Sequence, residues 1–276
     1  MATPYLREPV ARGLHVHSLF DEEGVRRQLG STRFPHLRFV VETDSTNDDA
    51  SSELGTDAAA GALFVADYQR HGRGRRGRRW VALPGSALLF TAVLPEPLAT
   101  SGLWTVPFWC ALAVADGVRD VAGLALELQW PNDLLLGGRK VCGILSTSRV
   151  VGESAWVACG VGINVARPNA GMGADPDAAF LSDAKQPLAR EDVLIAVVRA
   201  LDARLPMLRE PSAVSQAWES TAKLAGTPYH ILVDGELSPF EGRALRLGAE
   251  GALVVEVGGR EREVTLGDAR VLRHRS

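Results

Sequence analysis

The twelve residues Gln69-Arg70-His71-Gly72-Arg73-Gly74-Arg75-Arg76-Gly77-Arg78-Arg79-Trp80 carry six arginines and three glycines. Arginine holds its charge at physiological pH and presents a planar fork of donors that matches carboxylate and phosphate oxygens. Glycine takes backbone dihedrals that side chains forbid, so the chain can approach a bound group closely. The combination suits a mobile cationic loop that closes over an anion; a solvated basic loop has the same composition. A second cation, Lys140, opens the otherwise apolar run Val141-Cys142-Gly143-Ile144-Leu145, which puts an ammonium group at the mouth of a core. Gly143, Gly160 and Gly162 would let backbone amides reach a ligand there, or let strands pack closely. Trp130-Pro131-Asn132-Asp133 reads as a turn in which Asn132 and Asp133 can bond the local backbone.

Several chemistries are excluded. Gly72-x-Gly74-x-x-Gly77 has dinucleotide-binding spacing, but Arg78 to Gly85 lacks the helical apolar period that must follow the third glycine. No Gly-Lys-Ser/Thr follows a glycine at phosphate-loop spacing. The six histidines are scattered, and Cys110, Cys142 and Cys159 all lie in apolar segments without zinc spacing, as reduced core residues would. A formal charge of −3 argues against a dedicated nucleic-acid binder, since the cationic run is a local exception.

The elements that must position these residues follow from periodicity. Phe39–Thr43, Ala62–Tyr68 and Ala87–Leu94 read as strands, and the second delivers the chain into the cationic loop. Between the first two, Ser45 and Asp48 have capping-box spacing before a helix through Ala50 to Leu54. A core helix is expected over Leu103–Val121, too interrupted by Pro107 and Asp116 to cross a membrane. Strands Leu126–Trp130 and Leu134–Leu136 come next. Gly137-Gly138 then makes a hairpin into Arg139–Thr147, with Ala155–Val165 beside it. Residues 167–187 read as a mobile loop, and helices are expected over about 190–209 and 211–224. From Tyr229 short strands separated by Asp234-Gly235, Glu250-Gly251 and Gly258-Gly259 suggest a small antiparallel barrel of about 50 residues. Hairpins with interspersed helices favour an α+β fold with a mixed, mostly antiparallel sheet. The expected organisation is an N-terminal extension (1–34), a catalytic domain (35–225) and a C-terminal domain (226–276). The extension has one short helical candidate, Asp21–Leu29, and looks too short for a helix-turn-helix module.

Taken in order, Ser45-Thr46-Asn47, Gln69, Gly72 to Arg78, Trp130 to Asp133, Arg139 to Leu145 and Gly160 to Val165 resemble the motifs of biotin protein ligases. The C-terminal strands, ending in Val264-Thr265-Leu266-Gly267-Asp268, resemble that family's small SH3-like domain. The likeness spans about residues 35–276 and implies a class II synthetase-like catalytic core. It implies two steps: biotin's carboxylate attacks the α-phosphate of ATP to give biotinyl-5′-AMP, and an acceptor lysine then takes the biotin. Lys140, Arg75 and Arg73 are the catalytic candidates it suggests. Ser45, Thr46 and Gln69 would bond the ureido ring, with Asn47 beside them. Gly72, Gly74, Arg76, Arg78 and Trp80 would complete the loop's part of the biotin and ATP site. Gly143, Gly160 and Gly162 would line the pocket, Asn132 and Asp133 would sit near the nucleotide, and Asn164 near the adenylate.

Mg²⁺ is implied by ATP chemistry, with ligands unassigned and no metal residues nominated. The acceptor would be a biotin carboxyl carrier protein or domain of a carboxylase. A monofunctional, cytoplasmic ligase is expected, monomeric or weakly dimeric, without specific DNA binding or a membrane. The family's usual lysine before Trp-Pro-Asn-Asp is Gln129 here, which removes one positive charge. The competing readings are a lipoate ligase, which should not carry the Arg/Gly loop, an RNA- or DNA-binding segment at Arg70–Arg79, and an inactive relative.

Overall fold

The structure, a computed structural model, describes residues 20–169, 175–184, 187–267 and 269–272. Its frame is an eight-stranded sheet in the order β1-β2-β3-β8-β7-β6-β5, with the two-residue β4 (Leu98–Ala99) against β8. β1 (His36–Thr43) and β2 (Ala62–Gln69) run parallel, joined by the crossover helix α2 (Thr46–Glu53). Every other pairing is antiparallel: β2 with β3 (Ala87–Val93), β3 with β8 (Ser154–Asn164), β8 with β7 (Arg139–Val151), and β7 with β6 (Asp133–Leu136), which pairs with β5 (Glu127–Gln129). This is the mixed α+β sheet that the hairpin signals predict.

The two faces of the sheet do different work. Side chains alternate along a strand, so Leu88, Phe90 and Ala92 of β3 and Cys159, Val161 and Ile163 of β8 enter the large core. There they meet α3 (Val106–Ala122), which is apolar on nearly every side and buries twelve of its seventeen residues. α4 (Arg190–Arg204) and α5 (Pro211–Ala222) pack against α3, and α1 (Glu22–Leu29) adds Val25 and Leu29. The part of the 1–34 segment that the structure describes thus shares the main core. The opposite face is covered at one end by α2 and the 3₁₀ turn Asp57–Ala59, over a small cluster that includes Ala50, Leu54, Ala59, Phe64, Val93 and Ala158. Beyond α2 this face is open, and the site lies there.

Several expected boundaries move for local reasons. The 190–209 helix stops at Arg204 and continues as a 3₁₀ turn, Leu205–Arg209, because Pro206 supplies no amide hydrogen. The Leu103–Val121 helix begins as a 3₁₀ segment, Thr100–Thr105, and its α part has Pro107 in the first turn and ends on left-handed Gly123. By length and composition Thr100–Ala122 could cross a membrane, but 72% of its apolar 18-residue stretch is buried inside the protein. Ser45 occupies the N-cap of α2 without a side-chain capping bond, so the expected capping box does not form. Within the expected 167–187 loop, Ala179, Phe180 and Leu181 are buried and Leu181–Asp183 forms a 3₁₀ turn.

The C-terminal strands β9 (Pro228–Val233), β10 (Phe240–Leu247), β11 (Leu253–Val257), β12 (Arg260–Val264) and β13 (Ala269–Leu272) form a five-stranded antiparallel sheet, ordered β12-β11-β10-β9-β13. It is compatible with the SH3-like domain implied by the sequence, although β13 is an element the sequence reading did not supply. Asp268 lies outside the described residues. The sheet is locked to the turn before β6: Trp130 Nε1 donates to Gly251 O at 3.0 Å, and Trp130 N donates to Tyr229 Oη at 3.2 Å. Burial pushes the Tyr229 phenol up to about 12, so it stays neutral and can accept that bond.

Candidate active site

The open sheet face carries a cavity of about 470 Å³, within the ordinary range for small-molecule sites. Its inner end is built from the first turn of α2 and from strands β2, β3, β7 and β8. Gln69 Oε1 accepts from the Thr46 backbone N–H at 2.8 Å and from Thr46 Oγ1 at 2.9 Å. An N–H can only donate, so the oxygen of the Gln69 amide must face Thr46 and its NH₂ must point elsewhere. Asn47 Nδ2 donates to Leu145 O at 3.1 Å, which orients the second amide in the same way. Ser45, Thr46 and Asn47 are all buried. Polar groups that lie this deep, with their inward partners fixed, present their remaining hydrogens to the cavity.

The middle of the cavity is occupied by the indole of Trp80. A Cβ at Gly162 would lie 2.6 Å from Trp80 Cε2, and one at Gly143 would lie 3.0 Å from its Cζ3. At Gly160 a Cβ would fall 2.2 Å from Asn47 Oδ1. These three glycines therefore clear space on the sheet for site side chains. Trp80 Nε1 is buried and has no hydrogen-bond partner among the described residues, which leaves an unspent donor inside the cavity.

The outer wall is cationic. The loop folds into a small hairpin, with Gly74 N donating to Arg78 O at 2.7 Å and Trp80 N to Gly72 O at 2.8 Å. Lys140 Nζ sits 2.6 Å from Asp133 Oδ1 and 5.5 Å from the Trp80 ring centroid. Arg75 reaches inward, donating to Asn132 Oδ1 at 3.3 Å and to Leu266 O of the C-terminal sheet. Burial lowers the Arg75 pKa; Asp133 opposes that shift, and Arg78 and Arg76 add to it. A desolvated guanidinium with only carbonyl partners gains most when an anion arrives. Arg73 pairs with Asp48 at 2.8 Å. Asn132 Nδ2 donates to Ile144 O at 2.7 Å, and Asn164 Nδ2 to Ala179 O at 3.1 Å.

Of the eighteen residues singled out in the sequence, sixteen line this one cavity: Ser45, Thr46, Asn47, Gln69, Arg73, Gly74, Arg75, Arg78, Trp80, Asn132, Asp133, Lys140, Gly143, Gly160, Gly162 and Asn164. Gly72 and Arg76 stand outside the lining. Gly72 passes so close to Trp80 that a Cβ would lie 2.5 Å from its carbonyl oxygen. Arg76 takes a left-handed φ of 60° beside Gly77 and pairs with Asp234 in the turn after β9. The sequence reading missed Arg79, Ser86 and the rim residues Asp175, Asp177 and Phe180. The rim comes from a Pro/Gly/Asp-rich segment whose composition gave no hint of its position. It also missed Thr91, buried beneath the inner end, whose signal was a lone polar residue in a strand of apolar ones.

The arrangement can hold a ligand by a neutral, acceptor-bearing head at the inner end, with anionic groups gathered at the cationic wall. Bringing two anions together needs fixed orientation and positive charge, which this wall supplies.

The sequence profile of the Biotin/lipoate A/B protein ligase family matches residues 40–164. The bifunctional ligase/repressor BirA of Bacillus subtilis is 30% identical over 228 residues, covering 80% of this chain and 69% of that protein. The biotin–[acetyl-CoA-carboxylase] ligase of Mycobacterium tuberculosis is 30% identical over 264 residues, covering 92% of this chain and 96% of that one. Among solved structures, the biotin protein ligase from Aquifex aeolicus in complex with biotin and ATP superposes with a TM-score of 0.71 at 23% identity. That match covers 87% of this chain and all of that chain, and it shows a common fold.

Proposed function

This chain belongs to the biotin protein ligase family, and from that premise we propose how its cavity carries out the family's reaction. Biotin is activated with ATP: a carboxylate oxygen attacks the α-phosphate, the bond to the bridging oxygen breaks, and pyrophosphate leaves with that electron pair. The product, biotinyl-5′-AMP, is a mixed anhydride. The amine of an acceptor lysine on a carboxylase's carrier domain then attacks its acyl carbon, and AMP departs as the amide forms.

The observation that carries this reading is the meeting, in one cavity, of a donor-lined inner end with a wall bearing Lys140, Arg73, Arg75 and Arg78. The donors of Ser45, Asn47 and Gln69 suit the ureido oxygen and ring of biotin, and Thr46 holds Gln69 in place. Biotin's valeryl chain would then run past the Trp80 indole toward Lys140. That lysine, held by Asp133 in the free protein, would exchange this partner for the reacting anions. Arg75 would meet the phosphates, and the free Trp80 N–H is available to an oxygen of the nucleotide or the acyl chain. Among the described residues no cluster of three or more His, Cys, Asp or Glu is placed to hold a metal ion. Mg²⁺, which usually keeps several waters and binds substrate phosphates, is proposed to arrive on the nucleotide. Gln129 faces Asp133 across the β5–β6 ladder, so the charge missing there must be supplied by Lys140 or the loop.

The test is pyrophosphate exchange into ATP, with biotin and lipoate compared at equal concentration. Exchange that requires biotin and is at least about a hundredfold weaker with lipoate supports the reading. Equal exchange with both would contradict the assignment of the inner end.

A further inference from the structure

β3 reads Ala-Leu-Leu-Phe-Thr-Ala-Val and is buried at every position, yet it carries one hydroxyl, Thr91, fully buried. Such a group costs stability unless it is fully bonded. Thr91 Oγ1 lies 2.8 Å from Asn47 Oδ1 and 2.9 Å from Thr46 Oγ1. It owns one hydrogen. Asn47 Oδ1 can only accept, because its Nδ2 is already directed at Leu145 O, so the Thr91 hydrogen goes to Asn47. Thr46 commits its own hydroxyl hydrogen to Gln69 Oε1, and its oxygen accepts a second branch of the Thr91 hydrogen. Thr91 therefore lies at the centre of the network that sets both amides. Directly across the ladder its partner is Gly160, whose missing Cβ leaves room for the Asn47 amide, since a Cβ there would lie 2.2 Å from Asn47 Oδ1.

We propose that Thr91 is a positioning residue for biotin recognition, acting through Asn47 and Thr46 to hold the inner end of the cavity in a donor-outward state, with Gly160 as the seat. Thr91 itself does not line the cavity. Its effect is on which atoms of Asn47 and Gln69 face the ligand. With its hydroxyl gone, Asn47 Oδ1 loses its buried partner and the amide is free to turn that oxygen toward the ureido carbonyl, where two acceptors would oppose each other. The inference rests on the biotin ligase reading above.

The experiment is steady-state pyrophosphate exchange by the full chain with Thr91→Val, Thr91→Ala and Thr91→Ser, each checked for a cooperative thermal transition. Thr91→Val keeps the shape and removes the hydroxyl; Thr91→Ala does so without the branched side chain and serves if valine does not fold. The expected result is a KM for biotin raised about tenfold in both, with kcat and the KM for ATP within about twofold, and restoration by Thr91→Ser. A biotin KM unchanged in the valine and alanine variants would overturn the inference, as would equal rises for biotin and ATP or failure of serine to restore. Absence of biotin-dependent exchange in the unsubstituted chain would instead overturn the parent reading, and this inference with it.

Discussion

The inner end of the cavity and the cationic loop face each other across Trp80, and they are built on opposite principles. At the inner end Ser45, Thr46, Asn47 and Thr91 are all no more than 5% exposed and neutral, and Thr46, Asn47 and Thr91 are joined with Gln69 by hydrogen bonds that orient both amides. On the loop and beside it four charged groups lean on carboxylates they can give up, while Arg75, Arg78 and Arg79 donate to carbonyl oxygens. Arg70 pairs with Glu42 and Asp44, Arg73 with Asp48, Arg76 with Asp234, and Lys140 with Asp133. Neutral recognition would thus fall to the first turn of α2 and the strands beneath it, which do not need to move. Charge neutralisation would fall to a segment whose partners an incoming anion can replace. On the proposed reading, the difference separates two jobs: one end would select the acid, and the other would make it react.

Substitutions on either side should therefore separate kinetically. The largest effect is expected for Lys140→Ala, which should lower kcat for biotin-dependent exchange by on the order of a hundredfold or more while moving the biotin KM far less. A proportionate loss in KM alone would merge the two regions into one binding surface. Gly162→Val comes next. Its branched side chain would start 2.6 Å from the Trp80 ring and expel it, so exchange should fall at least about tenfold, with a change in tryptophan emission reporting the displaced ring. Normal exchange with altered emission would remove Trp80 from the account. Limited proteolysis within residues 70–79 should slow severalfold when biotin and ATP are both present and little with biotin alone, since the loop answers to the joined anions. Equal cleavage in all conditions would end its role as a lid. The smallest effect belongs to Asp48→Ala, which removes an exposed partner of Arg73. Thermal unfolding should report less than about 1 kcal/mol lost.

The fold was legible where periodicity and punctuation agree. The Gly137-Gly138 hairpin, the apolar runs of β3 and β8, and the turns of the C-terminal sheet all form close to where their residues predict. Boundaries drifted where a proline or a buried partner overrode propensity, as at Pro206. Ser45 occupies the cap position its spacing predicts, but its side chain makes no capping bond and it lies buried in the lining of the cavity. The site was legible through charge and glycine, because both are unusual inside an apolar pattern. Glycine's meaning was only half read: Gly143, Gly160 and Gly162 make room for Trp80 and Asn47, a relation between residues 47 and 160 that no local window contains. Thr91 shows in the sequence only as a lone polar residue in an apolar strand, and its partners lie outside any local window. A single hydroxyl in a buried strand acquires a role only once the fold brings α2 over it.

The measurement that bears most directly on the account is identification of the product made by the unsubstituted chain from biotin and ATP labelled at the α-phosphate. The account predicts labelled biotinyl-5′-AMP and unlabelled pyrophosphate, formed only when both substrates are present, with the label released as AMP once a carrier-domain lysine is supplied. Formation of ADP and phosphate, or of AMP without biotin, would contradict it.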